Sequence, residues 1–279
     1  MNERVWAAPP LAVDTAEVLA SIERGVTVTL IATFEPELFC CQQDDRIHDI
    51  LINCELKTFD YLPVRGEERI VGLLPLLQLR AEKIDHGQVV DQMMPLDERH
   101  LISGDVGILT FIEQAEEQPC WLVFRGTKID GIVTLSDLQK LPIRPALFLL
   151  ITHLELLMGE VLRRRFQKSD EWMETLSSGR KTKVREKWDQ LNEENLAIDL
   201  ISASDFCDKR TALLASGSPM ISRNGDTKEL KAIEKLRDSL AHSSDFALTQ
   251  SNAFNTVSVV KSARRWVNHL QMNRHTGVK

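Results

Sequence analysis

The sequence predicts an α+β protein in which an N-terminal half of small β-sheets with flanking helices precedes an all-α helical bundle. Three observations predict this class. The N-terminal half contains an internal repeat, the pattern after Pro142 is helical throughout, and the two halves carry opposite net charge. We expect an N-terminal extension over 1–24, a pair of repeats over 25–141 (copies 25–84 and 85–141) and a helical domain over 142–279.

Size and composition allow two separate cores. The chain has 279 residues, of which 43% are hydrophobic and 27% charged, enough for two domains that each bury a core. Its five cysteines form no C-x-x-C pair or Cys/His cluster, so neither a zinc site nor a disulfide framework is expected. The longest apolar patch, 146–157, is interrupted by His153 and Glu155. We therefore predict a cytoplasmic protein with no membrane contact.

Charge separates the two halves. Residues 1–141 contain 12 basic and 24 acidic residues, a net charge of −12, whereas residues 142–279 contain 22 and 17, a net charge of +5. The basic residues of the second half cluster in runs: Arg163, Arg164, Arg165 and Lys168; Arg180, Lys181, Lys183, Arg185 and Lys187; Lys261, Arg264, Arg265, Arg274 and Lys279. These runs predict attraction to phosphates. Solvated helix faces are the alternative interpretation.

The internal repeat appears when Gly72 is aligned with Gly131, an offset of 59 residues. Residues 61–79 then fall on residues 120–138 without a gap. Each copy is typical of a strand, a polar turn, a second strand and the start of a helix. A helical pattern precedes each strand pair, over 46–56 and 106–114. Such self-similarity is stronger evidence for the fold than either copy by itself.

The repeat contains two recognisable sequence motifs, a Leu-Pro-Val run at Leu62 and a Gly-hydrophobic-x-Thr-x-x-Asp run from Gly131 to Asp137. It resembles the tandem CBS domain pair. In nucleotide-binding members of that family, the Thr and the Asp contact phosphate and ribose. The resemblance therefore implies that Gly131, Thr134 and Asp137 form an adenine-nucleotide site for AMP, ADP or ATP, or for another adenosine compound.

The chemistry of these residues allows two interpretations. Thr134 would offer a hydroxyl beside unpaired N–H groups at a helix start, and Asp137 can accept hydrogen bonds from a ribose diol. Alternatively, Thr134 or Ser136 caps that helix, and Asp137 is a favourable acidic residue in its first turn. The first copy departs from the pattern, because Pro75 and Gln78 stand where Thr134 and Asp137 stand in the second. Its site is expected to be degenerate or to bind something else.

The second half predicts a bundle of about five helices. Apolar periodicity indicates helices over 147–166, 180–192, 196–214, 229–242 and 253–272. Ser202 to Asp205 can cap a new helix inside the third of these segments. In the fourth, an apolar stripe runs through Leu230, Ile233, Leu236 and Leu240.

The fourth helix ends in an arginine, four intervening residues and a histidine, at Arg237 and His242. This ending resembles the motif of HEPN domains, many of which are metal-independent ribonucleases. The resemblance implies an endoribonuclease with Arg237 and His242 as the catalytic pair, Asp238 as the polar residue after the arginine, and no catalytic cofactor or metal. His can move a proton and Arg can hold phosphate oxygens. A solvated cation and imidazole near a helix C-terminus are the alternative.

Helix geometry adds a condition. Five residues along one helix correspond to a rotation of about 140°, so the two side chains would not share a face of an unbroken helix. A helix break or a second chain is needed, and the family commonly forms its cleft in a homodimer. His153 and Glu155 are weaker candidates for the same cleft, since a buried hydrogen bond explains them equally well.

Three functional hypotheses follow. The first is a HEPN-type endoribonuclease regulated by adenine-nucleotide binding to the CBS pair. The alternative is a non-catalytic nucleotide sensor whose bundle mediates dimerisation or partner binding. In a third, the bundle serves a separate partner protein.

Overall fold

The computed structural model describes residues 15–116, 118, 120–166, 168, 170–194, 197–216, 225–242 and 244–275. The chain packs into two compact units. One comprises residues 23–143 and 247–254, and the other comprises the described parts of 1–22, 144–246 and 255–279. Of the expected N-terminal extension, residues 1–14 lie outside the described residues and the rest belongs to helix α1 (Thr15–Gly25).

The first unit, which we call the repeat unit, contains two four-stranded sheets. Its strands are β1 (Thr33–Phe34), β2 (Cys41–Gln42), β3 (Leu62–Arg65), β4 (Ile70–Leu74), β5 (Met94–Pro95), β6 (Leu101–Ser103), β7 (Cys120–Arg125) and β8 (Lys128–Thr134). The sheet orders are β2-β3-β4-β5 and, read in the equivalent direction, β6-β7-β8-β1. In each, one parallel pair is followed by two antiparallel pairs. The two copies therefore have the same topology.

Short helices flank these sheets: α2 (Ile47–Ile52), α3 (Leu76–Glu82), α4 (Val89–Gln92), α5 (Ile108–Gln114) and a 3-10 helix over Leu135–Gln139. The expected helix over 46–56 is divided. Helix α2 ends at Ile52 because Asn53 is extended, and the Asn53 side chain accepts a hydrogen bond of 3.0 Å from the Glu55 N–H. A separate 3-10 turn, Cys54–Leu56, follows.

Backbone hydrogen bonds lock each copy to the segment that precedes the other. An offset of 61 residues relates the bonds of one set to those of the other. The pairs are Ile108 N–H to Val26 O (2.9 Å) with Ile47 N–H to Gly87 O (3.1 Å), and Val28 N–H to Val106 O (2.8 Å) with Val89 N–H to Asp45 O (3.0 Å). The copies are thus related by an approximate twofold axis. Neither completes its sheet without the other, because β5 extends the first sheet and β1 extends the second.

Apolar side chains from both sheets form the core between the copies. Leu73 of β4 and Leu122 of β7 belong to one buried cluster, with exposures of 1% and 0%. Leu38, which lies between β1 and β2, joins the same cluster. Because the two sheets share this apolar contact, we expect the copies to fold as a single cooperative unit.

The second unit, which we call the helical unit, contains α6 (Ile143–Arg165), α7 (Ser178–Glu194), α8 (Leu200–Ala203), α9 (Phe206–Ala215), α10 (Gly225–Ala241) and α11 (Gln250–His275). A break falls where Ser202 to Asp205 was expected to start a new helix. Asp205 is the N-cap of α9 and forms a capping box with Asp208. The apolar stripe of α10 is buried as expected.

Helix α6 contains a run that is long and apolar enough to cross a membrane by length and composition. However, 56% of that run is buried. Leu150, Leu154 and Leu157 of α6 are each at most 1% exposed. This burial is typical of the central helix of a bundle.

Candidate functional site

A cleft of about 300 Å³ lies between the two copies of the repeat unit. Its floor includes Tyr61, Leu62 and Pro63 at the start of β3 and Ile132 and Thr134 at the end of β8. The remaining lining residues are Thr33, Glu37, Leu38, Phe39, Thr58, Phe59, Asp60, Ser136 and Asp137. The structure thus brings Thr134 and Asp137 to one cleft, which we call the inter-copy cleft.

Thr134 and Asp137 bond to each other as a helix cap. Asp137 Oδ2 accepts from the Thr134 backbone N–H at 2.6 Å and from Thr134 Oγ1 at 3.2 Å. Thr134 Oγ1 also lies 2.6 Å from Ser136 Oγ. Asp137 is 8% exposed, and its Oδ1 pairs with Lys140 Nζ at 2.8 Å. The capping alternative is therefore realised, and Thr134 and Ser136 both line the cleft.

Gly131 has a packing role and is not among the residues that line the inter-copy cleft. A Cβ built at Gly131 would lie 2.5 Å from the Phe34 ring, in the neighbouring strand β1. The equivalent Gly72 faces β5, where a Cβ would lie 2.3 Å from the Met94 carbonyl oxygen. The repeated glycine allows the third and fourth strands of each sheet to approach closely.

Aromatic and acidic side chains complete the cleft, and the sequence patterns did not identify them. Phe39 and Phe59 lie with ring centroids 5.4 Å apart, and Phe39 is 46% exposed. Glu37 and Asp60 also line the cleft and are exposed. These residues precede β2 and β3, outside the repeated motif, so only the spacing of exposed aromatics before each strand could have indicated them.

The corresponding position in the first copy has different chemistry, as the sequence indicates. Pro75 is the N-cap of α3 and makes no side-chain cap hydrogen bond. Gln78 Nε2 donates to Glu82 Oε1 at 2.9 Å, along the helix itself. The Thr–Asp cap at the inter-copy cleft therefore has no counterpart at this position.

The helical unit places Arg237 in an ion-pair cluster. Arg237 Nε lies 3.3 Å from Glu155 Oε2, and Lys209 Nζ lies 3.0 Å from Glu155 Oε1. The Lys209 ammonium also donates to the Ser204 carbonyl oxygen at 2.5 Å. Arg237 keeps 35% of its side chain exposed, whereas Glu155 is 16% exposed. Glu155 thus fixes the Arg237 guanidinium and leaves part of it open to solvent.

His242 lies apart from this cluster. Helix α10 continues unbroken through Ala241, and the His242 N–H still donates to the Asp238 carbonyl oxygen at 3.0 Å. His242 is exposed, and Asp238 retains 58% of its side-chain exposure. The helix break that would bring Arg237 and His242 onto one face of α10 is therefore not found.

His153 does not share the environment of Glu155. It is 1% exposed, and its Nε2 lies 3.2 Å from Gln271 Nε2 on α11. This contact joins α6 to α11 inside the helical unit. Of the two weaker candidates, Glu155 contacts Arg237, and His153 has the environment of a core histidine.

Part of the basic surface expected from the sequence is used internally. Arg180 Nε donates to Asp208 Oδ1 at 2.7 Å, and Lys181, Lys187 and Arg163 also form ion pairs with acidic side chains. Asp208 is 1% exposed. In this run only Lys183 and Arg185 remain exposed without a described ion pair, so the run presents less positive charge to a phosphate chain than its composition suggests.

Asp205, Cys207 and Asp208 bring potential metal-ligand atoms within 4.8 Å of one another. The Arg180 guanidinium already occupies this cluster, with its Nη2 2.8 Å from Asp205 Oδ2 and 2.6 Å from Asp208 Oδ2. A cation in the same place would be repelled by Arg180. The cluster is a salt bridge, not a metal centre.

Solved CBS-domain structures align with the N-terminal part of the chain. The CBS domain of a bacterial CNNM/CorC family Mg²⁺ transporter in complex with ATP is 16% identical, with a TM-score of 0.38, covering 47% of this chain and 95% of that one. CBSX2 in complex with AMP is 22% identical (TM-score 0.35; 40% and 92% covered). The CBS domains of a Streptococcus pneumoniae transcriptional regulator are 18% identical (0.33; 39% and 92%). No family model and no curated protein matches the sequence.

Proposed function

We propose that the repeat unit is a regulatory module that binds an adenosine compound, such as AMP, ADP or ATP, in the inter-copy cleft. The observation that carries the proposal is the cleft itself: it combines aromatic side chains with the hydroxyls of Thr134 and Ser136 at the start of a helix. Aromatic rings can stack on a planar base, and hydroxyls and a carboxylate can form hydrogen bonds with a ribose. Asp137 would accept a hydrogen bond from a ribose hydroxyl while keeping its ion pair with Lys140.

Calorimetric titration of adenosine and AMP into the full chain tests this proposal. Thr134→Val removes the hydroxyl with little change in volume, and we expect it to weaken binding about tenfold, the value of one hydrogen bond. The matched control is Thr127→Val, at an exposed position in the β7–β8 turn. Equal affinities of wild type and Thr134→Val would contradict the assignment of the cleft.

The helical unit is proposed, as a second candidate function, to be a metal-independent endoribonuclease of HEPN type. The Arg237–Glu155 ion pair favours it, because it orients a half-exposed guanidinium that can hold phosphate oxygens while charge develops on phosphorus. His242 would exchange a proton with the 2′-hydroxyl or the leaving oxygen, and Asp238 is the adjacent polar group. Products would carry a 2′,3′-cyclic phosphate and a 5′-hydroxyl.

RNA cleavage in EDTA, with Arg237→Ala and His242→Ala beside the wild type, tests the second function. We expect each substitution to reduce cleavage at least about a hundredfold. Lys231→Ala removes an exposed charge from the same helix and serves as the control. If the wild type cleaves no RNA, the endoribonuclease proposal fails. The bundle is then a dimerisation or partner-binding module, as in the alternative hypothesis, or it serves a separate partner protein.

The exposed position of His242 on an unbroken helix supports a composite cleft in a homodimer, with Arg237 from one chain and His242 from its partner. Mixing Arg237→Ala and His242→Ala proteins would then restore one intact cleft in each mixed dimer. Random pairing predicts about a quarter of wild-type activity. No recovery, with mixed dimers demonstrated by a tag on one variant, would place both residues in the same chain's cleft.

A further inference from the structure

The inter-copy cleft is acidic. Glu37, Asp60 and Asp137 all line it, and no Lys or Arg is among its lining residues in the described part of the chain. This composition is unusual for a pocket that takes a phosphate, because nearby carboxylates repel a phosphate unless a cation stands between them.

The three carboxylates are not equivalent. Asp137 is buried, and its charge is compensated by Lys140 Nζ at 2.8 Å. Glu37 and Asp60 are exposed, and neither side chain has an ion pair within the described residues. Two negatively charged side chains that have no ion pair within the described residues therefore line the cleft. They also do not form a group with Asp137 at metal-ligand spacing, so a resident cation is not indicated.

The rest of the lining suits an uncharged planar ligand. Phe59 and Tyr61 are partly exposed, and Phe39 stands next to Phe59. Hydroxyls of Thr33, Thr134 and Ser136 supply hydrogen bonds without charge. A volume of about 300 Å³ is at the lower end of the range for small-molecule sites and matches a nucleoside better than a triphosphate.

We propose that the inter-copy cleft selects an adenosine-type nucleoside over its phosphorylated forms, with Glu37 and Asp60 as the residues that determine this specificity. The inference rests on the proposed function of the same cleft. Its physical basis is electrostatic: each phosphate adds negative charge next to two carboxylates, whereas the nucleoside keeps the base and ribose contacts at no electrostatic cost.

Calorimetric titration of adenosine, AMP and ATP into the full chain, first in EDTA and then in Mg²⁺, tests the order of affinity. In EDTA we expect adenosine to bind most tightly and ATP most weakly, with a difference on the order of tenfold or more. Mg²⁺ and high salt should both narrow the gap, because each screens the phosphate charge. Adenosine affinity should change little.

The double variant Glu37→Gln, Asp60→Asn isolates the cause. We expect it to raise the affinity for ATP relative to that for adenosine, both measured in EDTA, about tenfold. Glu67→Gln, exposed in the β3–β4 turn of the same copy, is the matched control. ATP that binds as tightly as adenosine in EDTA would overturn the inference and leave the proposed function standing. If adenosine, AMP and ATP all fail to bind, both are refuted.

Discussion

At the scale of single residues, the helical unit depends on one buried carboxylate. Asp208 is 1% exposed and accepts two hydrogen bonds from the Arg180 guanidinium, at 2.7 and 2.6 Å. It also caps α9, since its Oδ2 accepts from the Asp205 N–H at 3.0 Å. Arg180 belongs to a basic run in the sequence, and its contact with Asp208 stabilises the fold.

Asp208→Ala should destabilise the helical unit by about 2–4 kcal/mol, because it removes the cap and leaves Arg180 without its buried partner. Arg180 is 30% exposed, which moderates the cost. The control is Glu174→Ala, which removes an exposed partner of Lys181 and should cost less than about 0.5 kcal/mol. Urea unfolding followed by circular dichroism measures both; equal midpoints would contradict the assigned role.

Acid sensitivity of the helical unit should trace to Asp199 and Asp205. Burial would raise the pKa of Asp205, but hydrogen bonds from Arg180 and Lys187 lower it to about 2, and those from Arg163 and Ser202 lower the pKa of Asp199 to about 2 against the same effect of burial. A pKa below the ordinary 3.8 stabilises the folded state above pH 3.8, and this stability is lost as the pH falls toward 2.

Thermal unfolding scans between about pH 5 and pH 2 measure this effect. We expect Asp205→Asn to lower the melting temperature at pH 5 and to reduce its fall toward pH 2. Asp189→Asn, at an exposed position on α7, should keep the wild-type profile. A variant with the wild-type slope would show that the Asp205 ion pairs do not contribute to stability.

At the scale of elements, a glycine lies at each place in the repeat unit where a strand from one copy pairs with the sheet of the other, and it allows the strands to approach closely. The contacts differ in kind: Gly72 faces backbone, the Met94 carbonyl oxygen, whereas Gly131 faces mainly the Phe34 ring. Backbone in a sheet has little freedom to move, but a ring can rotate. The two equivalent glycines should therefore differ in their tolerance of a methyl group.

Gly72→Ala should cost about 3 kcal/mol and Gly131→Ala about 1–2 kcal/mol in the free energy of unfolding. Gly179→Ala is the matched control, since a Cβ there meets nothing within 4 Å and the residue is helical. It should be neutral or slightly stabilising. Chemical denaturation compares the three variants, and a Gly131→Ala loss larger than that of Gly72→Ala would contradict this account.

At the scale of the whole molecule, residues 247–254 pack within the repeat unit although they lie between α10 and the rest of α11 in the chain. Gln139 Nε2 donates to the Ala247 carbonyl oxygen at 3.0 Å. A second pocket is lined by residues of this segment and shares Asp60, Tyr61, Thr134 and Ser136 with the inter-copy cleft. His242 precedes this segment by five residues in the chain.

Adenosine should therefore slow amide hydrogen exchange in residues 247–254, because a ligand that orders Thr134 and Ser136 also orders what packs beside them. Gln139→Ala removes the bond to Ala247 and should weaken this protection without abolishing binding. Gln114→Ala, exposed on α5, is the control. Unchanged hydrogen exchange in residues 247–254 at saturating adenosine would show that binding does not order this segment.

The repeat, the helical character of the second half and the stripe of α10 can be predicted from the sequence, because local periodicity and turn chemistry specify these features. The sequence also indicated that Thr134 and Asp137 stand together, since they are three residues apart. Only the tertiary structure decided the rest. Phe39, Phe59 and Asp60 join the cleft through contacts between copies, and Glu155 meets Arg237 from a helix far away in the chain. No local pattern encodes such contacts, because they depend on how distant segments pack.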